Sequence, residues 1–160
     1  INVKSKSHKQ IKYINDYDSI DSIHGSCMFI NKQCFEEIGK FDDNFFLYFE
    51  ETDYCYRAKK KGYHSYQINA SKVESLGRSI NTDKEISNIL IWHFIWSKYY
   101  FNKKKFGGFI TFLIFIPTLI RTVFKICLYK LNGNKKFLKY KFRLDGLLKS
   151  ITNKKSSLRP

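Results

Sequence analysis

Acidic residues are scarce in this chain: 14 Asp and Glu against 29 Lys and Arg, a formal charge of +15 over 160 residues. From Lys103 to the end the only acid is Asp145. Such an imbalance points to a phosphate-rich partner: nucleic acid, an anionic membrane or a phosphorylated substrate. There is also no C-x-x-C pair among Cys27, Cys34, Cys55 and Cys127, and no His at zinc-ligand spacing from them. That argues against a zinc site and for free, mostly buried thiols in a reducing compartment. No internal repeat, secretory signal pattern or RNA- or DNA-binding signature is present. The chain opens on Ile1 and reads as a piece of a longer protein. No nucleic-acid partner is expected.

What the chain does have is 18% aromatic residues and a clear division. Residues 1–20 are polar and read as an incoming connection. Ile23 to Asn31 (IHGSCMFIN) reads as a buried strand led by Gly25. Lys32 to Gly39 has helical spacing, with Gly39 at a C-cap. A turn-forming stretch, FDDNFFLYF, follows. Glu50 to Lys61 reads as a helix ended by Gly62, with Asp53 and Arg57 able to pair one turn apart, and Tyr63 to Ile68 as a strand. Residues 1–82 thus form an α/β unit, and residues 83–160 a helical, basic and amphipathic one. Within the latter, Lys84 to Phe101 is helical, Phe106 to Ile120 carries no charge, and Phe137 to Leu148 is amphipathic.

The uncharged run is shorter than the roughly 20 residues a membrane span requires. With Lys103, Lys104 and Lys105 before it and Arg121 and Lys125 after it, an interfacial helix on anionic headgroups is the expectation. A span with snorkelling cations and a buried core helix are the alternatives.

The dense chemistry lies in FFLYFEETDYCYR, where three carboxylates, Glu50, Glu51 and Asp53, open a helix directly after an aromatic patch. Acids at a helix start and bases at its end suit a solvated helix through its dipole. The same placement holds a carboxylate ionised, as a general base for a sugar hydroxyl requires. Phe45, Phe46 and Tyr48 are then candidates to stack on an acceptor. His24, beside Gly25 and near such a site, reads as a strand-edge residue, and His64 as structural or exposed.

The stretch from His24 to Ile68 resembles the later half of the catalytic domain of family 2 glycosyltransferases, in particular the bacterial rhamnosyltransferase-like branch. Gly25 leads a strand, Glu37 to Asp42 gives EIGKFD, Phe45 to Tyr48 gives FFLY, and Glu50 to Arg57 gives EETDYCYR. The WHFIWSKYYF stretch from Trp92 to Phe101 resembles the branch less specifically. The resemblance implies the acceptor-side half of a GT-A (Rossmann-like) domain followed by a membrane-associating region. It implies an inverting transfer, possibly of rhamnose, from a nucleotide-sugar to a lipid-linked or polysaccharide acceptor at the cytoplasmic face of the cell membrane. The base falls on Glu51, with Glu50 and Asp53 flanking it, and Gly25, His24, Phe45, Phe46 and Tyr48 on the acceptor side. A divalent metal, Mg or Mn, is implied for the full-length enzyme. Its D-x-D is not in this chain, since Asp16-Tyr17-Asp18 has the letters but not the position.

The chain departs from the pattern at three points. The base position holds Glu where Asp is common. Ser75 stands where relatives carry a His, leaving Arg78 as the candidate for the donor diphosphate. The donor-binding half does not precede this region, so the isolated piece is expected to be inactive. A noncatalytic remnant or membrane-binding module is the alternative function.

Overall fold

A computed structural model describes residues 16–74 and 84–156. Ser75 and Arg78 lie outside the described residues. Two short strands, β1 (Tyr17–Ile20) and β2 (Ser65–Ile68), pair antiparallel with Tyr17 opposite Ile68 and Ile20 opposite Ser65. Tyr17 and Tyr66 meet edge to face, 5.3 Å between centroids, as cross-strand aromatics do. The Asn69 side-chain amide donates to Asp18 at 2.8 Å. Part of the stretch read as a connection is therefore a strand.

The expected strand over Ile23 to Asn31 does not form. The alternation of an extended chain is there, with Met28 and Ile30 half-buried and Phe29 exposed. Its backbone, however, joins no ladder among the described residues, and its first residues fold into a turn around Gly25. Met28 and Ile30 instead rest on a small core of Cys34, Tyr54 and Ala58, completed by Ile38 and Tyr63.

Helix α1 (Lys32–Ile38) starts on Asn31, whose carbonyl side chain accepts from the N–H groups of Gln33 and Cys34, and stops at Gly39 with φ 78°. Both ends are local sequence effects: a short polar N-cap and a residue without Cβ where the chain turns left-handed. Helix α2 (Glu50–Lys60) carries its acids in the first turn and Arg57, Lys59 and Lys60 in the last. Arg57 joins the two helices. It donates from Nε to Asp53 at 2.9 Å and from its two terminal nitrogens to the carbonyls of Ile38 and Lys40, each at 2.9 Å.

Three long helices follow: α3 (Lys84–Phe106), α4 (Gly108–Leu131) and α5 (Phe137–Ile151). Helix α3 continues through the lysine triplet and breaks at Gly107, whose φ of 82° only glycine adopts without strain. Helix α4 runs through Pro117 and past Arg121 and Lys125, well beyond the uncharged run. Ile95, Tyr99, Phe115 and Leu147 form the shared core of these helices, with Leu119 and Ile151 against it. Close approach of α3 and α5 is made possible by Gly146, where a Cβ would sit 2.7 Å from the Trp92 carbonyl oxygen. Trp92 Nε1 donates to Asp145 at 2.7 Å and the Ser150 hydroxyl donates to the Trp96 carbonyl at 3.0 Å.

Candidate active site

The aromatic stretch before α2 docks on α3. Phe45 is 7% exposed and meets Tyr100 edge to face. Phe46 lies on His93, Tyr48 and Phe49 on Phe94, and Phe49 also on Phe101. The Ser97 hydroxyl donates to the Leu47 carbonyl at 2.8 Å. Held in this way, Tyr48 and Phe49 both adopt left-handed backbone, with φ of 67° and 69°. For bulky residues that costs about 1–3 kcal/mol each and persists only where the surroundings enforce it. The kink delivers the chain into α2 with Phe49 at the N-cap and no side chain capping the first turn.

The three acids that follow diverge. Glu51 turns outward and back. Its Oε1 accepts the Gly25 N–H at 2.9 Å. A Cβ on residue 25 would lie 2.7 Å from that same oxygen, so any other residue there would push the Glu51 carboxylate aside. Next to it the Ser22 hydroxyl donates to Thr52 at 3.1 Å. These contacts line an open cleft of about 350 Å³ whose wall includes His24, Tyr48, Phe49, Glu51 and Phe94. His24 accepts from the Ser26 N–H through Nδ1, at 3.3 Å, and its Nδ1 also lies 2.7 Å from the Ser26 hydroxyl.

Glu50 points elsewhere. Its Oε2 is buried without a hydrogen-bond partner. Burial, reinforced by the neighbouring Glu51 charge, pushes its carboxyl above the usual range.

Asp53 is fully buried. It pairs with Arg57 through Oδ2, at 2.9 Å, and with Lys104 through Oδ1, at 2.5 Å. Lys104 also holds Asp42 at 2.7 Å, and Asp42 accepts from the Tyr100 hydroxyl at 3.1 Å. Burial would raise the Asp42 carboxyl, but hydrogen bonds from Lys104 and from the backbone and side chain of Asn44 outweigh it and hold it at about 2. Tyr100, buried against Asp42, is pushed up to about 12.

Of the residues expected at the site, Glu51, Gly25, His24 and Tyr48 therefore meet at one cleft. Asp53 does not: it is a buried ion-pair residue, because the i, i+4 geometry that pairs it with Arg57 turns it inward. Phe45 and Phe46 do not line the cleft either, since their rings are spent on α3. Phe94, Ser22 and Thr52 complete the cleft and were not anticipated. Nothing in the sequence singles out Phe94, which the structure leaves 45% exposed on a helix whose neighbours Trp92, Ile95 and Trp96 are buried. Lys104 was read as a headgroup ligand, and only its neighbours in space reveal the ion pairs.

Among the described residues no three His, Cys, Asp or Glu side chains converge as a metal would require. The acids that come near one another, Asp42 and Asp53, are already neutralised by Lys104 and Arg57. These residues do not fit the divalent metal that the resemblance implies.

Comparison with known proteins bears on the same part of the reading. No family model matches the chain, and no solved structure does. Over 42 residues it is 48% identical to the low-salt glycan biosynthesis hexosyltransferase Agl10 of Haloferax volcanii. That stretch is 26% of this chain and 14% of the relative's length. The chain thus carries a segment similar to part of a hexosyltransferase of glycan biosynthesis.

Proposed function

We propose that the chain is the acceptor-side part of an inverting, family 2-type glycosyltransferase of GT-A fold, with Glu51 as the general base. The observation that carries this reading is the position of Glu51 in an open, aromatic-walled cleft, oriented by the Gly25 N–H. The similarity to a hexosyltransferase of glycan biosynthesis supports the same reading. An acceptor sugar ring lies against Tyr48 and Phe94. Its hydroxyl gives its proton to Glu51 and the oxygen attacks the anomeric carbon of a nucleotide-sugar, rhamnose being one candidate donor sugar. The bond from that carbon to the leaving diphosphate breaks as the new one forms, which inverts the centre. Glu51 serves better than Glu50, because a base must be within reach of the hydroxyl: Glu51 lines the cleft, and Glu50 is not among its lining residues. Arg78 remains the candidate contact for the donor diphosphate, and the acceptor is a lipid-linked or growing glycan.

The same reading sets the protein on the cytoplasmic face of the cell membrane. Helix α4 is about 36 Å long at 1.5 Å per residue, apolar enough to cross a membrane by length and composition, and little of it is buried. It turns Thr111, Phe115 and Thr122 inward and leaves Phe109, Ile120 and Phe124 64–77% exposed. Arg121 and Lys125 in its second half favour a helix lying in the interface. This exposed face also supports a second reading, in which the chain is a noncatalytic membrane-binding module.

Transfer by the full-length parent protein, assayed over a panel of nucleotide-sugars with membrane extract, tests the proposal. Glu51→Gln is expected to abolish transfer with donor binding intact. Unchanged transfer by that variant refutes Glu51 as the base, and no transfer by the wild type with any donor favours the noncatalytic module.

A further inference from the structure

Beside the cleft that holds Glu51 lies a second one of similar volume, about 350 Å³, and the two share Tyr48 and Phe94. Leu90, Ile91 and Phe94 of α3 give it an apolar wall, and α5 supplies Lys139 and Arg143. No acid lines it. Among the described residues neither cation forms an ion pair. The single acid of α5, Asp145, is taken by Trp92 Nε1 at 2.7 Å and Lys149 at 3.0 Å. Arg143 is half-buried, and its Nε is buried and meets no acceptor.

A buried guanidinium Nε without an acceptor is unfavourable, and an anion that the Arg143 fork can reach offers it one. Arg presents a planar fork that suits phosphate oxygens, and a neighbouring Lys adds a second charge. The rest of the lining is hydrocarbon and aromatic. A free phosphate would leave that wall wet, and a plain hydrocarbon would leave Arg143 unmet. The ligand that satisfies both parts carries a phosphate on an alkyl stem.

We propose that this second cleft is a binding site for a phosphate-bearing lipid, with the phosphate on Arg143 and Lys139 and the stem along Leu90, Ile91 and Phe94. The site stands on these residues alone. Its meaning rests on the transferase reading: the shared wall of Tyr48 and Phe94 then sets the lipid phosphate of an acceptor beside Glu51, and the acceptor is lipid-linked and not a free polysaccharide.

The test is calorimetric titration of the full chain with dodecyl phosphate below its micelle-forming concentration, against dodecyl maltoside and inorganic phosphate. Dodecyl phosphate is expected to bind, with the other two about tenfold weaker or more. Lys139→Gln with Arg143→Gln is expected to weaken it about tenfold, and Lys61→Gln, exposed just beyond α2, to leave it unchanged. Should the double variant lose its helical circular dichroism, Arg143→Lys, which keeps the charge and loses the fork, is read in its place and is expected to bind more weakly than the wild type. Equal binding of dodecyl maltoside, no binding of dodecyl phosphate, unchanged affinity in the substituted α5, or an equal loss in Lys61→Gln each overturns the site. The lipid site fails in titration and the catalytic reading in the transfer assay of Glu51→Gln, so the two fail separately.

Discussion

Two stretches of similar make-up, aromatic and aliphatic residues bordered by lysines, meet their surroundings in opposite ways. From Phe45 to Arg57 the apolar rings turn inward onto α3 and the charged Asp53 is buried. From Gly108 to Leu131 two threonines are buried while Phe109, Ile120, Phe124 and Leu131 stand exposed. The difference lies in what each stretch finds to pack on. The first has a whole helix face of aromatics beside it and two cations, Arg57 and Lys104, to neutralise what it buries. Helix α4 has α3 and α5 on one side only, and the small Thr111 and Thr122 let them come close there. Hydrophobicity decides that a stretch avoids water, while the neighbours decide whether protein or lipid replaces the water.

The comparison breaks most sharply at Asp53. Asp53→Ala leaves Lys104 and Arg57 facing a buried gap, and stability is expected to fall by about 3–5 kcal/mol, read by urea unfolding of the chain. Glu51→Gln, only two residues away but on the cleft, is expected to leave the urea midpoint nearly unchanged. Under the proposed function, the same substitution in the full-length protein is expected to cost on the order of 10²-fold or more in transfer. A structural acid and a catalytic acid in one helical turn are thereby told apart by two measurements that move in opposite ways.

On α4, Ile120→Glu with Phe124→Glu alters side chains that are each 64% exposed, so the fold is expected to survive. Flotation with anionic liposomes is expected to be lost, and retention on the vesicles would mean that the lysines alone carry the binding.

A smaller effect is expected with pH. The Asp42 carboxyl is held at about 2 in the folded chain, below its ordinary 3.8. Its contribution is therefore complete above about pH 4 and lost as the pH falls through 2. Asp42→Asn is expected to flatten the acid limb of a stability–pH curve over that window. Glu50 has the reverse sign: its raised carboxyl makes the folded state bind protons more tightly than the unfolded chain, so stability declines as pH rises through its range. Glu50→Gln is expected to be neutral or mildly stabilising at pH 7, by the midpoint of thermal unfolding.

Local signals in the chain were enough for several of these features. Asn31 and Gly39 bound α1, the charge gradient from Glu50 to Lys60 marks α2, and Asp53 and Arg57 pair at the spacing one helical turn imposes. Each depends on residues within four positions of one another, which is the range over which backbone geometry alone brings groups together. The cleft residues Glu51, Gly25, His24 and Tyr48 were named from a motif and not from geometry. That Gly25 donates to Glu51, 26 positions away, is a fact of packing. The strand expected over Ile23 to Asn31 failed for the same reason in reverse: its alternation is in the sequence, but a strand exists only with a ladder partner.

By itself, then, the sequence determined the helices, the caps of α1, the acid cluster at the start of α2 and the basic, apolar character of the later part, since all of these follow from near neighbours along the chain. Only the tertiary structure decided which acid faces the cleft and which is buried. It also decided that the aromatics clamp α3 while Phe94 completes the cleft, and that Arg143 comes to rest beside an apolar wall with no counter-charge among the described residues. Those outcomes depend on side chains tens of residues apart, and charge or hydrophobicity along the chain carries no record of who will stand opposite.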